Sequence, residues 1–235
     1  MFQRALICTD FTDGMQRLAQ FVPSLATGGF RSLIFFHNVA VDAEREIPSA
    51  DPEQLAKPKQ QLSELLRVDP AQVEVKVEVQ MGRVSENIIK LAKQYQVDVI
   101  FLGTPTRTLL EEKIFGSNTM QLAEKTAVPL LILRPQLIST YTTAELELRC
   151  AHLFRYLLVP YDGSPGGKTL IEKIRRQVQN NPNSVLERVR LLWVIDENIR
   201  PEFYGDRPVQ QAEEELSQVQ AELAKLGLVV NTSVV

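Results

Sequence analysis

Three short stretches of this chain hold residue types that can grip a polar ring or an anion: Thr9-Asp10, His37-Asn38, and residues 103–119, which read GTPTRTLLEEKIFGSNT. A carboxylate just beyond an apolar run, as Asp10 is beyond ALIC, can accept a hydrogen bond from an exocyclic amine. Gly103 carries no Cβ to block a ligand, and Gly116-Ser117 stands where a helix would open. Backbone N–H groups and the dipole at such an opening attract anions, with the hydroxyls of Ser117 and Thr119 as further donors. Taken singly, each of these residues has a plainer reading, Gly103 as a turn and Ser117 as an N-cap. Catalytic chemistry has no comparable support. The chain has only two histidines; His37 ends an apolar run, where a structural role is expected, and His152 falls in a connecting segment. No G-x-S-x-G elbow, H-E-x-x-H pair or acidic cluster with metal-ligand spacing occurs. Cys8 lies inside an apolar run and is expected to be inert core.

The elements that must position these residues follow from apolar periodicity. Residues 3–9, 97–103 and 128–133 are short apolar runs, strands by their length, and 32–39 is an Ile- and Phe-rich strand. VEVKVEV at 73–79 alternates with period two, which predicts a strand with one solvated face near a sheet edge. Between them lie helical stripes: Met15, Leu18, Ala19, Val22 and Leu25, then Leu62, Leu65 and Leu66, then Val84, Ile88, Leu91, Ala92 and Tyr95. A loop is expected over 40–57, with Pro58 in the first turn of the helix that follows. Strands separated by helices mean βαβ crossovers and a doubly wound, mostly parallel five-stranded α/β sheet, whose ligands sit beyond the carboxyl ends of the strands.

The chain also repeats itself. ALICTDFTDG at 5–14 is echoed by LLVPYDGSPGG at 157–167, SLIFFHNV at 32–39 by VRLLWVID at 189–196, and VEVKVEV at 73–79 by VVNTSVV at 229–235. Two copies of one unit are expected: a first domain over 1–135, a linker with a short helix over 136–153, and an incomplete second domain over 154–235. Either the chain is trimmed or the second domain is naturally half-built; trimming is the favoured reading. GSPGGKT at 163–169 has three residues between Gly163 and Gly167, one fewer than a P-loop requires, so it reads as the loop after the first strand of the second copy. Val209, Ala212, Leu216, Val219, Leu223 and Leu226 have coiled-coil spacing over fewer than three heptads. A helix covering one sheet face is the favoured reading of that stripe.

Gly103, two residues, Thr106, nine residues, then Gly116-Ser117 is similar to the G-x2-G-x9-G-[ST] loop of the universal stress protein family. CTDFTDG and VPYDGS resemble that family's first-strand Asp with its small polar neighbours, and AEKTAVPLLILRP is like its closing helix and strand. The resemblance covers nearly all of 1–135, and 155–235 as far as the chain extends. It implies a Rossmann-like fold that binds adenine nucleotides, with ATP and its Mg2+ as the expected ligands. Asp10 would meet the adenine amino group, and Asn38 would contact the base or ribose through its backbone. Gly103, Gly116, Ser117 and Thr119 would hold the phosphates. The nucleotide-contacting set carried over is Thr9, Asp10, Asn38, Leu102, Gly103, Thr106, Gly116, Ser117, Asn118 and Thr119. One departure stands out. Thr106 replaces the loop's middle glycine, and a β-branched residue tolerates positive φ poorly. Weakened or altered triphosphate binding is expected there, unless the Thr106 hydroxyl itself meets a phosphate. Some members of the family lack the glycine loop and do not bind ATP.

Composition narrows the function classes. The 235 residues are 44% hydrophobic and 23% charged, as in soluble globular chains. A net charge of −3 gives no electrostatic argument for nucleic acid or an anionic membrane. The longest apolar runs fall far short of the ~20 residues of a membrane span, and the N-terminus has no signal-peptide cleavage site. Two widely separated cysteines suit a reducing cytoplasm. The leading expectation is a cytoplasmic, non-enzymatic nucleotide-binding regulator of stress response, forming a homodimer through the Val128–Leu133 strand. The alternatives are a nucleotide-free dimerisation or interaction module of the same fold, and a slow ATPase.

Overall fold

Short β-rich runs form every strand of the computed structural model, which describes residues 2–11, 14–39, 52–66, 73–104, 117–181, 183–195 and 207–235. The chain divides into two units, residues 2–151 and His152–Val235. In the first, β1 (Arg4–Cys8), β2 (Ser32–Val39), β3 (Glu74–Met81), β4 (Val99–Gly103) and β5 (Leu130–Leu133) form one all-parallel sheet in the order β3-β2-β1-β4-β5. The alternating run thus forms an edge strand, as its half-solvated pattern requires.

Alternation along the inner strands supplies two cores. Leu6, Ile34, Phe36, Ile100 and Leu102 face α3 (Val84–Gln94) and α4 (Ser117–Lys125), burying Ile88, Leu91, Ala92 and Leu122 between them. Ala5, Ile7, Leu33, Phe35, Val99 and Phe101 are buried on the opposite face, where Phe30 meets Phe101 edge-on with ring centroids 5.7 Å apart. Asp98 locks the start of the sheet by accepting the N–H groups of Gln3 (2.9 Å) and Arg4 (3.0 Å), while burial pushes its carboxyl above the usual range. Tyr95, at the end of α3, donates its hydroxyl to Glu78 on β3, and this bond is the main reason its phenol is pushed up to about 12.

Three local features depart from the periodicity reading. The stripe from Met15 to Leu25 is two pieces, a 3-10 helix over Met15–Phe21 and α1 (Val22–Thr27), because Pro23 sits in the first turn of α1 and favours a helix start there. The helix expected to open at Pro58 is α2 (Pro52–Leu65), with Pro58 inside it; Pro52 takes the first-turn place that suits proline, and residues 52–57 are helix rather than loop. Residues expected as a connector form α5 (Pro135–Thr140) and α6 (Thr143–Ala151), which pack with the first unit. Arg17 donates to the carbonyls of Ile138 and Tyr141, and a Cβ on Gly28 would stand 2.5 Å from the Cys150 carbonyl, so helix and turn touch backbone to backbone. Thr142 and Glu145 form a reciprocal capping box at the start of α6.

The second unit is a three-stranded parallel sheet in the order β6-β7-β8: β6 (Tyr156–Pro160), β7 (Arg188–Trp193) and β8 (Val229–Val234). Helix α7 (Pro165–Gln179) follows β6, capped by Ser164, whose hydroxyl accepts the Gly167 N–H at 3.1 Å. GSPGGKT is therefore a capped helix start. Helix α8 (Arg207–Ala224) buries Ala212, Leu216, Val219 and Leu223 and packs on β8 and β7, so its stripe covers a sheet face rather than a second coil. The pairing of β7 with β8 sets Arg188 opposite Val229, whereas β2 with β3 sets Ser32 opposite Glu74. Val229 thus stands in the place of Glu74, and Val234 rather than Val235 in that of Val79. This register buries Leu228 and Val230, the partners of Val73 and Val75.

Candidate functional site

Strand order alone locates the crevice of the first unit. The chain runs outward from β1 to β2 and β3, then crosses back to β4 on the other side of β1, so the direction reverses between β1 and β4. Ligands of open parallel sheets bind at this switch point, outside the carboxyl ends of the strands. Ile7 pairs with Phe101. Two residues beyond that pair stand Thr9 on one strand and Gly103 on the other, with Asp10 and Thr104 next.

Thr9 is 6% exposed and its polar groups are engaged. Its N–H donates to Phe36 O at 3.0 Å, its hydroxyl oxygen accepts the Phe11 N–H at 3.0 Å, and its carbonyl lies 2.9 Å from His37 Nδ1. A carbonyl only accepts, so His37 must carry its proton on Nδ1. Gln16 adds a further tie, its amide N–H donating to Phe11 O at 3.2 Å. Phe11 has φ +66°, the left-handed region, which costs an L residue roughly 1–2 kcal/mol. Its ring rests against His37, with centroids 4.7 Å apart at 55°. Asp10 sits exposed between these two anchored residues.

Asn38 spends its side chain elsewhere. Its amide donates to Gly82 O (2.9 Å) and Val39 O (3.2 Å) and its oxygen accepts from Asn87 (2.8 Å), tying the tip of β2 to the turn after β3. Its backbone is another matter. Ser32 N–H bonds to Gln3 O and Phe36 O accepts from Thr9, so even-numbered residues of β2 turn their backbone groups toward β1. β1 has ended by the level of Asn38, which leaves that residue's backbone facing the crevice. Leu102 has its side chain in the α3/α4 core, so its backbone is what it can offer. Gly103 closes β4, and Thr104 N–H is held by Leu133 O at 3.0 Å. Helix α4 opens at Ser117 and continues through Asn118 and Thr119, the last buried. Ser85 on α3 reaches Gln121 at 3.4 Å and steadies α4. Thr106 and Gly116 lie outside the described residues.

The second unit repeats part of this geometry. Tyr161 N–H donates to Leu192 O at 2.9 Å as Thr9 does to Phe36, and Gly163 has φ +71° where Phe11 has +66°. Asp162 accepts its own loop's Ser164 N–H at 3.0 Å, and hydrogen bonds from Ser164 hold its carboxyl below the usual range. Trp193 stands where His37 does and meets Tyr161 edge-on at 5.8 Å. A Cβ on Gly163 would lie 2.6 Å from Glu215 Oε2 and 3.1 Å from the Trp193 ring, so these two side chains stand against the loop's glycine.

The sequence model of the universal stress protein family matches residues 1–134. This chain belongs to the universal stress protein family. A universal stress protein from Archaeoglobus fulgidus DSM 4304 superposes with a TM-score of 0.60 at 16% identity, covering 98% of this chain and 76% of its own. A functionally unknown protein from Pseudomonas aeruginosa PAO1 gives 0.53 at 13% identity, covering 99% and 74%. At these identities the likeness is one of fold. No curated protein matches the sequence. The universal stress protein fold accounts for the five-stranded sheet and for the reversal between β1 and β4 where the candidate residues gather. Sequence reasoning set His37 aside as structural and passed over Phe11 and Gln16. The signal that could have found them is the Gly163 that echoes Phe11, since glycine at that place marks a left-handed backbone.

Proposed function

We propose that this chain binds one adenine nucleotide in the crevice between β1 and β4 and acts as a cytoplasmic, non-catalytic regulator of stress response. The observation that carries the reading is Asp10, an exposed carboxylate held between two anchored residues at the switch point, with the start of α4 following β4. Asp10 would accept the adenine amine and the Asn38 backbone would meet base or ribose. Gly103 and the first turn of α4, Ser117, Asn118 and Thr119, would meet the phosphates, with Mg2+ accompanying ATP. The second unit reads as a further copy of the domain whose corresponding end is closed to nucleotide, on the strength of the Tyr161–Leu192 bond and the Trp193 and Glu215 side chains. Calorimetric titration of the full chain with ATP and GTP tests the reading; phosphate release at the background rate is the expected result of an activity assay.

Thr106 governs the phosphate end in this reading. Thr106→Gly restores the middle glycine of the resembled loop and should tighten ATP by about 1–2 kcal/mol, what glycine saves where a loop calls for positive φ, and leave AMP nearly unchanged. Calorimetry on both ligands checks it, and equal changes for ATP and AMP would count against a phosphate role.

Self-association has its own support. Among the described residues β5 pairs only with β4, and because Pro129 O and Leu133 O accept from β4 and Thr104, the backbone groups of Leu130 and Ile132 face the open edge. A second copy meeting this edge across a twofold axis would pair them. Ile132→Pro removes an outward N–H without touching the ladder to β4, so it should convert a dimer to monomer while nucleotide binding persists. Light scattering coupled to size exclusion reads the outcome, and an unchanged dimer would rule out this edge.

A further inference from the structure

We infer that His37 is a positioning residue that sets the base selectivity of the Asp10 site; the inference rests on the nucleotide reading above. Both residues that flank Asp10 are anchored, and His37 touches each of them from β2. Its Nδ1–H donates to the Thr9 carbonyl at 2.9 Å, and its ring lies 4.7 Å from that of Phe11. The Thr9 hydroxyl accepts the Phe11 N–H at 3.0 Å and Gln16 donates to the Phe11 carbonyl at 3.2 Å. The Cα–Cβ bond of Asp10 therefore leaves the backbone in one direction.

That fixity matters because a mobile carboxylate is a poor judge of bases. Adenine offers its amine as a donor, whereas guanine carries an oxygen at the equivalent ring position and repels an acceptor there. Guanine also carries two adjacent donors, a ring N–H and an exocyclic amine, which a carboxylate free to swing can accept together. A carboxylate held toward the amine position excludes guanine; one released from its clasp admits it. In the second unit Trp193 stands at the corresponding position, and its indole carries no donor in the place of Nδ1. The two units thus differ in the residue assigned this role.

The test is calorimetry of the full chain with ATP and with GTP, for the unaltered protein and for His37→Ala, His37→Asn and His37→Phe. Asparagine returns an N–H near the place of Nδ1, and phenylalanine keeps the ring without the donor. The expected result is that His37→Ala narrows the ATP-over-GTP preference by about tenfold, chiefly through better GTP binding. His37→Phe should narrow it as well, and His37→Asn should restore part of it. A merely structural role would weaken both nucleotides in proportion and leave the ratio alone. If His37→Ala fails to fold, the His37→Phe ratio decides. A ratio unchanged in the variants overturns the positioning role and leaves the nucleotide reading standing. An unaltered protein that binds neither nucleotide overturns that reading and this inference with it.

Discussion

Asp10→Ala should weaken ATP binding by about 1–3 kcal/mol, the cost of leaving a recognition hydrogen bond to a charged group unmade. The expectation follows from where the carboxylate stands. Asp10 is exposed at the end of β1, so its removal leaves no cavity, and the backbone on both sides keeps its bonds through Thr9, Gln16 and His37. The loss should therefore appear chiefly in binding. It should also be specific to the base: ATP, ADP and AMP should all weaken by a similar factor, because in the proposed arrangement the phosphates would be held from β4 and α4. Calorimetric titration of the three nucleotides measures this. Loss confined to ATP, or no loss for any of them, would move the adenine contact away from Asp10.

The largest effect on stability is expected from Phe101→Ala. Phe101 is fully buried in β4, between β1 and β5, with its ring edge-on to Phe30. Truncating a buried phenylalanine costs about 3–5 kcal/mol, the transfer of its ring plus the cavity it leaves. That is a large share of the roughly 5–15 kcal/mol that holds a domain folded. Because Gly103 lies two residues further along the same strand, the variant should lose nucleotide together with the fold of the first unit. Leu158→Ala provides the contrast: Leu158 is 59% exposed on β6, and its truncation should change stability by no more than about 0.5 kcal/mol. Urea unfolding followed by tryptophan-independent circular dichroism measures both. A Phe101 variant within about 1 kcal/mol of the unaltered protein would show that this face of the sheet repacks freely, against the density of a normal core.

Much of this architecture is legible in the sequence because strands of a buried parallel sheet are apolar along their whole length. SLIFFHNV announces β2 and VDVIFLG announces β4, while the alternation of VEVKVEV announces an edge. Where proline intervened, periodicity misled: Met15–Leu25 keeps one apolar stripe although the backbone changes from 3-10 to α-helix at Val22, and α2 carries Pro58 in its interior. The echo VVNTSVV is legible as a repeat, but its register is not, because successive valines allow either face until packing on α8 selects one.

The site divides in the same way. Asp10 and Gly103 can be found from sequence because each ends an apolar run, and strand ends in such sheets are where ligands meet. The clasp around Asp10 cannot, since it joins the tips of two strands far apart in sequence and puts an aromatic residue in a backbone region that side chains avoid. Asn38 illustrates both halves: its position at the end of β2 was readable, but the commitment of its amide to Gly82 and Asn87 depends on the turn after β3.

Side-by-side titration of the unaltered full chain with ATP and GTP tests the central claim most directly. The account predicts saturable binding of one ATP per chain, with GTP weaker by about tenfold or more, as a site built to meet an amine rejects a base lacking it. Two ATP per chain would contradict the closure of the second unit, and equal affinity for the two nucleotides, or no binding of either, would contradict the assignment of Asp10 and the crevice between β1 and β4.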